Sequence, residues 1–172
     1  PYQGNGLGRI RNMLCFLKRL WVQSKKLAKD FKPDMVICSS TYPLDIFPGR
    51  RIARMSGAKL VFELHDLWPL TPKELGNMPS WHPFIMVMQA AENYVYQNVD
   101  AVVSILPKAE CHMREHGLKE GKFTWIPNGI DLDEWEKQHA PLPNLHEAKI
   151  RELKVKGDFL VGYVGTLGLS NA

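Results

Sequence analysis

A histidine and an aspartate, His65 and Asp66, stand side by side where a short apolar run gives way to a loop. An imidazole can donate a hydrogen bond to a sugar hydroxyl or a phosphate oxygen, and its charge changes near neutral pH. The adjacent carboxylate can fix the tautomer of the ring. Both residues are therefore candidate catalytic residues, and the alternative is a structural pair that caps the strand and orders the loop.

Further polar residues and glycines follow the other predicted strands. In a parallel sheet, ligands bind at the edge formed by the carboxyl ends of the strands, so we expect residues at these ends to contact a substrate. The Asn-Gly pair among them is also a turn signal, because both residues tolerate positive φ. The candidates are Ser40, Thr41, Glu63, Ser104, Asn128, Gly129, Gly165 and Thr166.

Short apolar strands alternate with helices along the chain. The patterns predict strands at 35–38, 60–64, 101–106, 123–126 and 159–164, and helices at 10–31, 43–56, 83–99 and 108–116, with a weaker, charged helix around 146–154. This alternation predicts an α/β fold, a Rossmann-like parallel sheet with helices on both faces. The first four strands are expected to be parallel and adjacent in that order. Their lack of polar alternation indicates that both faces of each strand are buried.

The composition is that of a globular protein, since 45% of the 172 residues are hydrophobic and 23% are charged. Apolar runs are too short to suggest a membrane span. Three cysteines without a CxxC motif favour a reducing compartment, and thus a cytoplasmic location. Because the chain opens with Pro1 and not with Met, we expect it to be a piece of a longer protein.

Basic residues are concentrated in the first predicted helix. Between residues 9 and 32 there are eight Lys or Arg residues against one acidic residue, Asp30. This segment is a candidate for peripheral contact with anionic membrane, and the alternative is an ordinary helix with a solvated lysine face. Aromatic residues do not interleave the basic stripe, so we expect no nucleic-acid binding.

Two other patterns are weaker. The glycines at 4–8 miss the GxGxxG spacing of a phosphate-binding loop, which favours a flexible connector. His112 and His116 lie four residues apart beside Cys111, a spacing compatible with a metal. No further ligand completes the set locally, so we interpret them as incidental histidines of a surface helix and predict no metal site.

Several strings occur in a distinctive order. They are KPD at 32–34, FELHDLWP at 62–69, Ala90 and Glu92 with Tyr94, DAVVS at 100–104, KF at 122–123 with IPNGID at 126–131, and GYVGTLG at 162–168. Together they resemble the family-4 glycosyltransferases of the GT-B fold, particularly those of bacterial capsule and O-antigen (lipopolysaccharide) synthesis. Many relatives place Arg where this chain has Thr166.

The resemblance implies an enzyme, a retaining glycosyltransferase of surface polysaccharide synthesis. It would move a sugar from a nucleotide-sugar donor to a lipid-linked or other saccharide acceptor, without a cofactor, and His65 would face the donor sugar. The implied organisation is a partial N-terminal, acceptor-side domain at 1–132, a linker at 133–157, and the first strand and glycine loop of a truncated donor-binding domain at 158–172. We expect such a fragment to be inactive alone and to self-associate through an open sheet edge.

Two alternatives belong to other classes. The basic helix alone is also compatible with a non-enzymatic module that binds a membrane surface or a lipid carrier. The fold class is shared with nucleotide-cofactor oxidoreductases, since a fold does not determine a function. The absent GxGxxG motif argues against the oxidoreductase.

Overall fold

The strand order and direction follow the sequence prediction. The computed structural model describes residues 7–39, 42–137, 141, 143–157 and 159–162. Four parallel strands are hydrogen-bonded in the order β1, β2, β3, β4. This confirms the predicted α/β class with a Rossmann-like parallel sheet. The strands are β1 (Met35–Cys38), β2 (Lys59–Leu64), β3 (Ala101–Ser104) and β4 (Phe123–Trp125).

Helices precede and connect these strands, close to the predicted positions. Two short helices were not predicted, one in the loop after β2 and one after β4. The helices are α1 (Leu7–Phe31), α2 (Ile46–Ser56), α3 (Leu70–Glu74), α4 (Pro83–Asn98), α5 (Ala109–Glu115), α6 (Leu132–Glu136) and α7 (Asn144–Val155), with a 3₁₀ turn at Pro43–Asp45. Among the described residues, every helix is too short or too polar to serve as a transmembrane span. Of the predicted connector at 4–8, residues 4–6 lie outside the described residues and residues 7 and 8 belong to α1.

The chain divides into two compact units, the first ending at Asn128 and the second beginning at Gly129. The second unit contains α6 and α7. The predicted strand at 159–164 is not formed by residues 159–162, and residues 163 and 164 lie outside the described part of the chain. A strand needs a hydrogen-bonded neighbour, and the described residues of the second unit contain no other strand.

The core of the first unit lies between the sheet and α2, α4 and α5. Apolar side chains from alternate positions of β2 and β3 meet side chains of the three helices. This burial is the main favourable contribution to folding. The central members are Ile46, Leu60, Phe62, Leu64, Val95, Tyr96, Val102 and Met113.

The burial of β1 corrects the expectation that the strands are buried on both faces. Met35 and Ile37 are 53% and 56% exposed, whereas Cys38 is buried. Side chains alternate between the two faces of a strand, so the two exposed residues share the face opposite the core. In the described part of the chain, β1 pairs with β2 alone. Self-association through its outer edge stays a prediction.

The start of β3 is held by a side chain. The carboxylate of Asp100 accepts a hydrogen bond from the backbone N–H of Leu60, at 2.8 Å. This bond, with the nearby charge of Lys59, holds the pKa of Asp100 below its ordinary value. The ionised carboxylate therefore links the amino ends of β2 and β3.

The polar contact between α4 and α5 corrects the interpretation of the α5 histidines as incidental. Glu92 of α4 is buried in the core region, and its Oε1 lies 2.9 Å from His112 Nε2. Tyr96 donates its O–H to the same oxygen at 3.0 Å. Burial, together with the adjacent Glu92, raises the pKa of Tyr96 well above its ordinary value, so this hydroxyl stays protonated. The sequence alone did not indicate this contact, because Glu92 and His112 are 20 residues apart in the chain.

Helix α2 lies very close to β1 at Gly49. A Cβ placed on Gly49 in α2 would overlap the sulfur of Cys38 in β1. That sulfur is enclosed, and burial, followed by the charge of Asp45, raises the pKa of Cys38 to about 12. Glycine is thus required at position 49 by the space available and not by its backbone freedom.

We expect Gly49→Ala to destabilise the protein. Alanine normally stabilises a helix interior relative to glycine by roughly 0.5–1 kcal/mol, but overpacking a core costs about 1–3 kcal/mol. Urea unfolding measures the difference. Adding Cys38→Ala should restore part of the loss in a double-mutant cycle, because it removes the overlapping sulfur. A stabilised Gly49→Ala protein would show that α2 lies farther from β1.

Candidate functional site

The parallel register brings the ends of β1, β2 and β3 to one edge of the sheet. Cys38 pairs with Phe62, and Leu64 pairs with Ser104. Ser39 therefore follows β1 close to the point where His65 follows β2. The predicted convergence of polar residues at the strand ends is found for these residues.

His65 is held at this edge by two polar neighbours. Its Nε2 lies 3.1 Å from the Oγ of Ser39 and 3.6 Å from an oxygen of Glu63. The side chains of His65 and Glu63 are 45% and 39% exposed, so a ligand can reach both. The tautomer of the ring decides whether the Ser39 hydroxyl donates to Nε2 or accepts from it. In the part of the chain that the structure describes, Nδ1 makes no hydrogen bond.

Asp66 does not take the place expected from its sequence position. Within the described residues, no hydrogen bond joins Asp66 to His65, and the nearby carboxylate is that of Glu63. Residues two apart point to the same side of an extended chain, whereas adjacent residues point to opposite sides. A pattern based on adjacency therefore selected the wrong carboxylate as the neighbour of the ring. The catalytic role assigned to Asp66 remains a prediction.

Ser104 lies at the end of β3 but is fully buried. Its hydroxyl donates to the carbonyl of Leu64 at 3.1 Å and accepts from the N–H of Leu106 at 3.0 Å. These bonds connect the ends of β2 and β3 and hold the turn that follows β3. The arrangement supports a positioning role, and direct contact with substrate stays a prediction.

Of the other candidate substrate-binding residues, some lie within the described part of the chain and some outside it. Asn128 and Gly129 are exposed. Neither adopts positive φ, and they form no tight turn, which corrects the turn expectation. An Asn-Gly pair permits a tight turn but does not impose one when no paired strands must be joined. Ser40, Thr41, Gly165 and Thr166 lie outside the described residues.

A cavity of about 390 Å³ opens among α1, the start of α4 and the loops after β1 and β2. Aromatic residues form much of its wall, and the rings of Trp68 and Phe84 meet edge to face with centroids 6.0 Å apart. Sequence reasoning missed this cavity, although Trp68 lies in the string that includes His65. Its lining includes Arg9, Ile10, Met13, Tyr42, Trp68 and Phe84.

The fold and the strand-end residues define the chain as a Rossmann-like α/β protein with polar side chains at the usual ligand edge of its sheet. Residues 4–134 match the family model described as Glycosyltransferase Family 4. The match covers well over half of the chain, which therefore belongs to that family. A search of curated proteins finds no match. Glycosyltransferase chemistry in general, with binding of a nucleotide sugar and a saccharide acceptor, follows from the family.

We expect Ser104→Ala to lower the free energy of unfolding by about 1–3 kcal/mol, because it removes the buried hydrogen bond to the carbonyl of Leu64 and leaves the partly buried N–H of Leu106 without this partner. Chemical denaturation measures this loss. Ser39→Ala is the matched control, since Ser39 is exposed and its loss should cost under about 0.5 kcal/mol. An unchanged stability with a raised KM for substrate would instead identify Ser104 as a substrate ligand.

Proposed function

We propose that the chain carries the acceptor-side domain of a retaining glycosyltransferase. The enzyme would transfer a sugar from a nucleotide-sugar donor to a lipid-linked saccharide acceptor, in the cytoplasm, during synthesis of a bacterial surface polysaccharide. The observation that carries the proposal is the exposed imidazole of His65, held by Ser39 at the ligand edge of the sheet.

The contacts of His65 support a role as a hydrogen-bond donor. Ser39 and Glu63 both lie next to Nε2, and a ring nitrogen that carries the proton would donate a hydrogen bond to a hydroxyl of the donor sugar. As the bond to the leaving diphosphate breaks, positive charge grows on the sugar and negative charge on the diphosphate. A hydrogen-bond donor that the protein has already oriented stabilises these developing charges without having to reorganise.

The aromatic cavity supports an acceptor with an apolar part. Its wall combines the rings of Trp68 and Phe84 with the apolar side chains Ile10 and Met13 of α1. Mostly apolar concave sites with a few polar groups are typical of small-molecule binding. A lipid carrier would bury its hydrocarbon there, while its saccharide would extend towards the strand ends.

The division of the chain supports the proposed domain organisation. The boundary between the compact units, at Asn128 and Gly129, lies close to residue 132, where we place the end of the acceptor-side domain. Residues 133–157 would then be the linker, and residues 158–172 would begin the donor-binding domain.

We expect His65→Ala, assayed in the full-length enzyme, to lower kcat by roughly 10²-fold. The donor KM and the melting temperature should change little, because the side chain is exposed and its hydrogen bond matters most in the transition state. Steady-state kinetics and thermal unfolding are measured on the same preparation, with His146→Ala, an exposed histidine of α7, as the control. A His65→Ala enzyme that is less stable but turns over normally would exclude this residue from the site.

Peripheral membrane contact through α1 is a second element of the proposal. The side chains of Arg11, Lys18, Lys25 and Lys29 are exposed, whereas Met13, Ser24 and Ala28 are buried. The helix packs against α2, and these exposed cations would be available to anionic lipid headgroups.

We expect the full-length enzyme to bind vesicles of anionic lipid, with affinity that falls steeply as salt rises. Each surface cation contributes about 1 kcal/mol, so the Lys18→Gln, Lys25→Gln double variant should bind roughly 30-fold more weakly. The matched control is Lys108→Gln with Lys119→Gln, which removes the same charge from exposed positions outside α1. Equal weakening by both pairs, or binding insensitive to salt, would leave α1 as an ordinary solvated helix.

A further inference from the structure

A buried carboxylate lies between α4 and α5, outside the strand-end site. The side chain of Glu92 is only 2% exposed. Its Oε1 faces Tyr96 and His112, and its Oε2 accepts a hydrogen bond from the amide of Gln89 at 2.7 Å. A buried carboxylate is costly unless a positive charge compensates it. Among the described residues, no Lys or Arg forms an ion pair with Glu92.

The groups that can hold such a charge are two histidines of α5. His112 and His116 lie one helical turn apart, with ring centroids separated by 4.4 Å. One ligand atom each from Glu92, His112 and His116 can be chosen so that all lie within 4.8 Å of one another. Donor atoms about 2.0–2.1 Å from a zinc ion are separated by roughly 3.3 Å in a tetrahedral site, so small side-chain rotations bring the set to that spacing.

Neighbouring amides hold these candidate ligands in place. His116 Nδ1 lies 3.0 Å from the Oδ1 of Asn93 and 3.1 Å from the Nε2 of Gln89. The two hydrogens of the Gln89 amide are directed at Glu92 and Asn93, and Tyr96 donates to Glu92. Hydrogen bonds that orient ligating histidines and carboxylates are characteristic of protein metal sites.

We propose that Glu92, His112 and His116 bind a divalent transition metal ion, and that this ion joins α5 to α4. Two imidazoles and one carboxylate are a donor set that zinc uses, with water as the fourth ligand. The ion supplies the positive charge that the buried carboxylate requires. None of its ligands belongs to the strand-end residues around His65, so the site is separate from the proposed transfer chemistry.

The experiment is a titration of the chelator-treated chain with Zn²⁺ by isothermal calorimetry, together with thermal unfolding with and without Zn²⁺. We expect one equivalent to bind and the melting temperature to rise, because an ion that binds the folded state stabilises it. His116→Asn leaves the contact between Glu92 and His112 intact, so it should fold and should weaken binding at least roughly 10-fold.

Two controls keep the result specific. His146→Asn removes an exposed histidine of α7, and Cys111→Ser removes the exposed thiol next to His112. Both variants should bind Zn²⁺ like the unmodified chain.

Asn93→Ala keeps all three ligands and should weaken binding by about 10–100-fold, which tests the site even if His116→Asn fails to fold. The proposal is overturned if the unmodified chain binds no Zn²⁺, or if Zn²⁺ binding survives both His116→Asn and Asn93→Ala unchanged. Glu92 and His112 would then be a buried pair without a metal.

Discussion

The parallel pairing of β2 with β3 is the constraint on which the candidate site depends. Because Leu64 pairs with Ser104, both strands end at the same level and the chain leaves both at one edge of the sheet. The buried hydroxyl of Ser104 connects these ends through two backbone hydrogen bonds. A slip of one residue in this register would reverse the faces of every side chain in the strand. A slip of one residue between β1 and β2 would carry His65 away from Ser39.

The helices packed on the sheet are held by two different kinds of contact. Against α2 the contact is apolar and so close that only glycine fits at position 49. Between α4 and α5, the apolar core gives way to the polar cluster around Glu92. Apolar contacts supply most of the stability without selecting a direction, whereas buried polar groups require particular partners at particular distances. The cluster therefore constrains α5 more narrowly than apolar packing does.

The elements of the first unit were largely predictable because their signals are local. Helix periodicity, apolar runs and a glycine after α2 indicated the helices and strands to within a few residues. The confirmed strand order was obtained from the resemblance and the βαβ alternation. The weaker predictions involved long-range contacts: both-face burial was wrong for β1, and an added strand at 159–164 is not formed by residues 159–162.

The sequence by itself determined the α/β class, the family and the segment that carries His65, because these depend on periodicity and on strings of adjacent residues. Only the tertiary structure decided which side chains become neighbours. Ser39 and Glu63, and not the adjacent Asp66, lie next to the imidazole of His65, and Glu92 meets a histidine 20 residues away. The physical reason is that strand pairing and helix packing set distances between residues that are remote along the chain, and side-chain alternation separates residues that are adjacent in it.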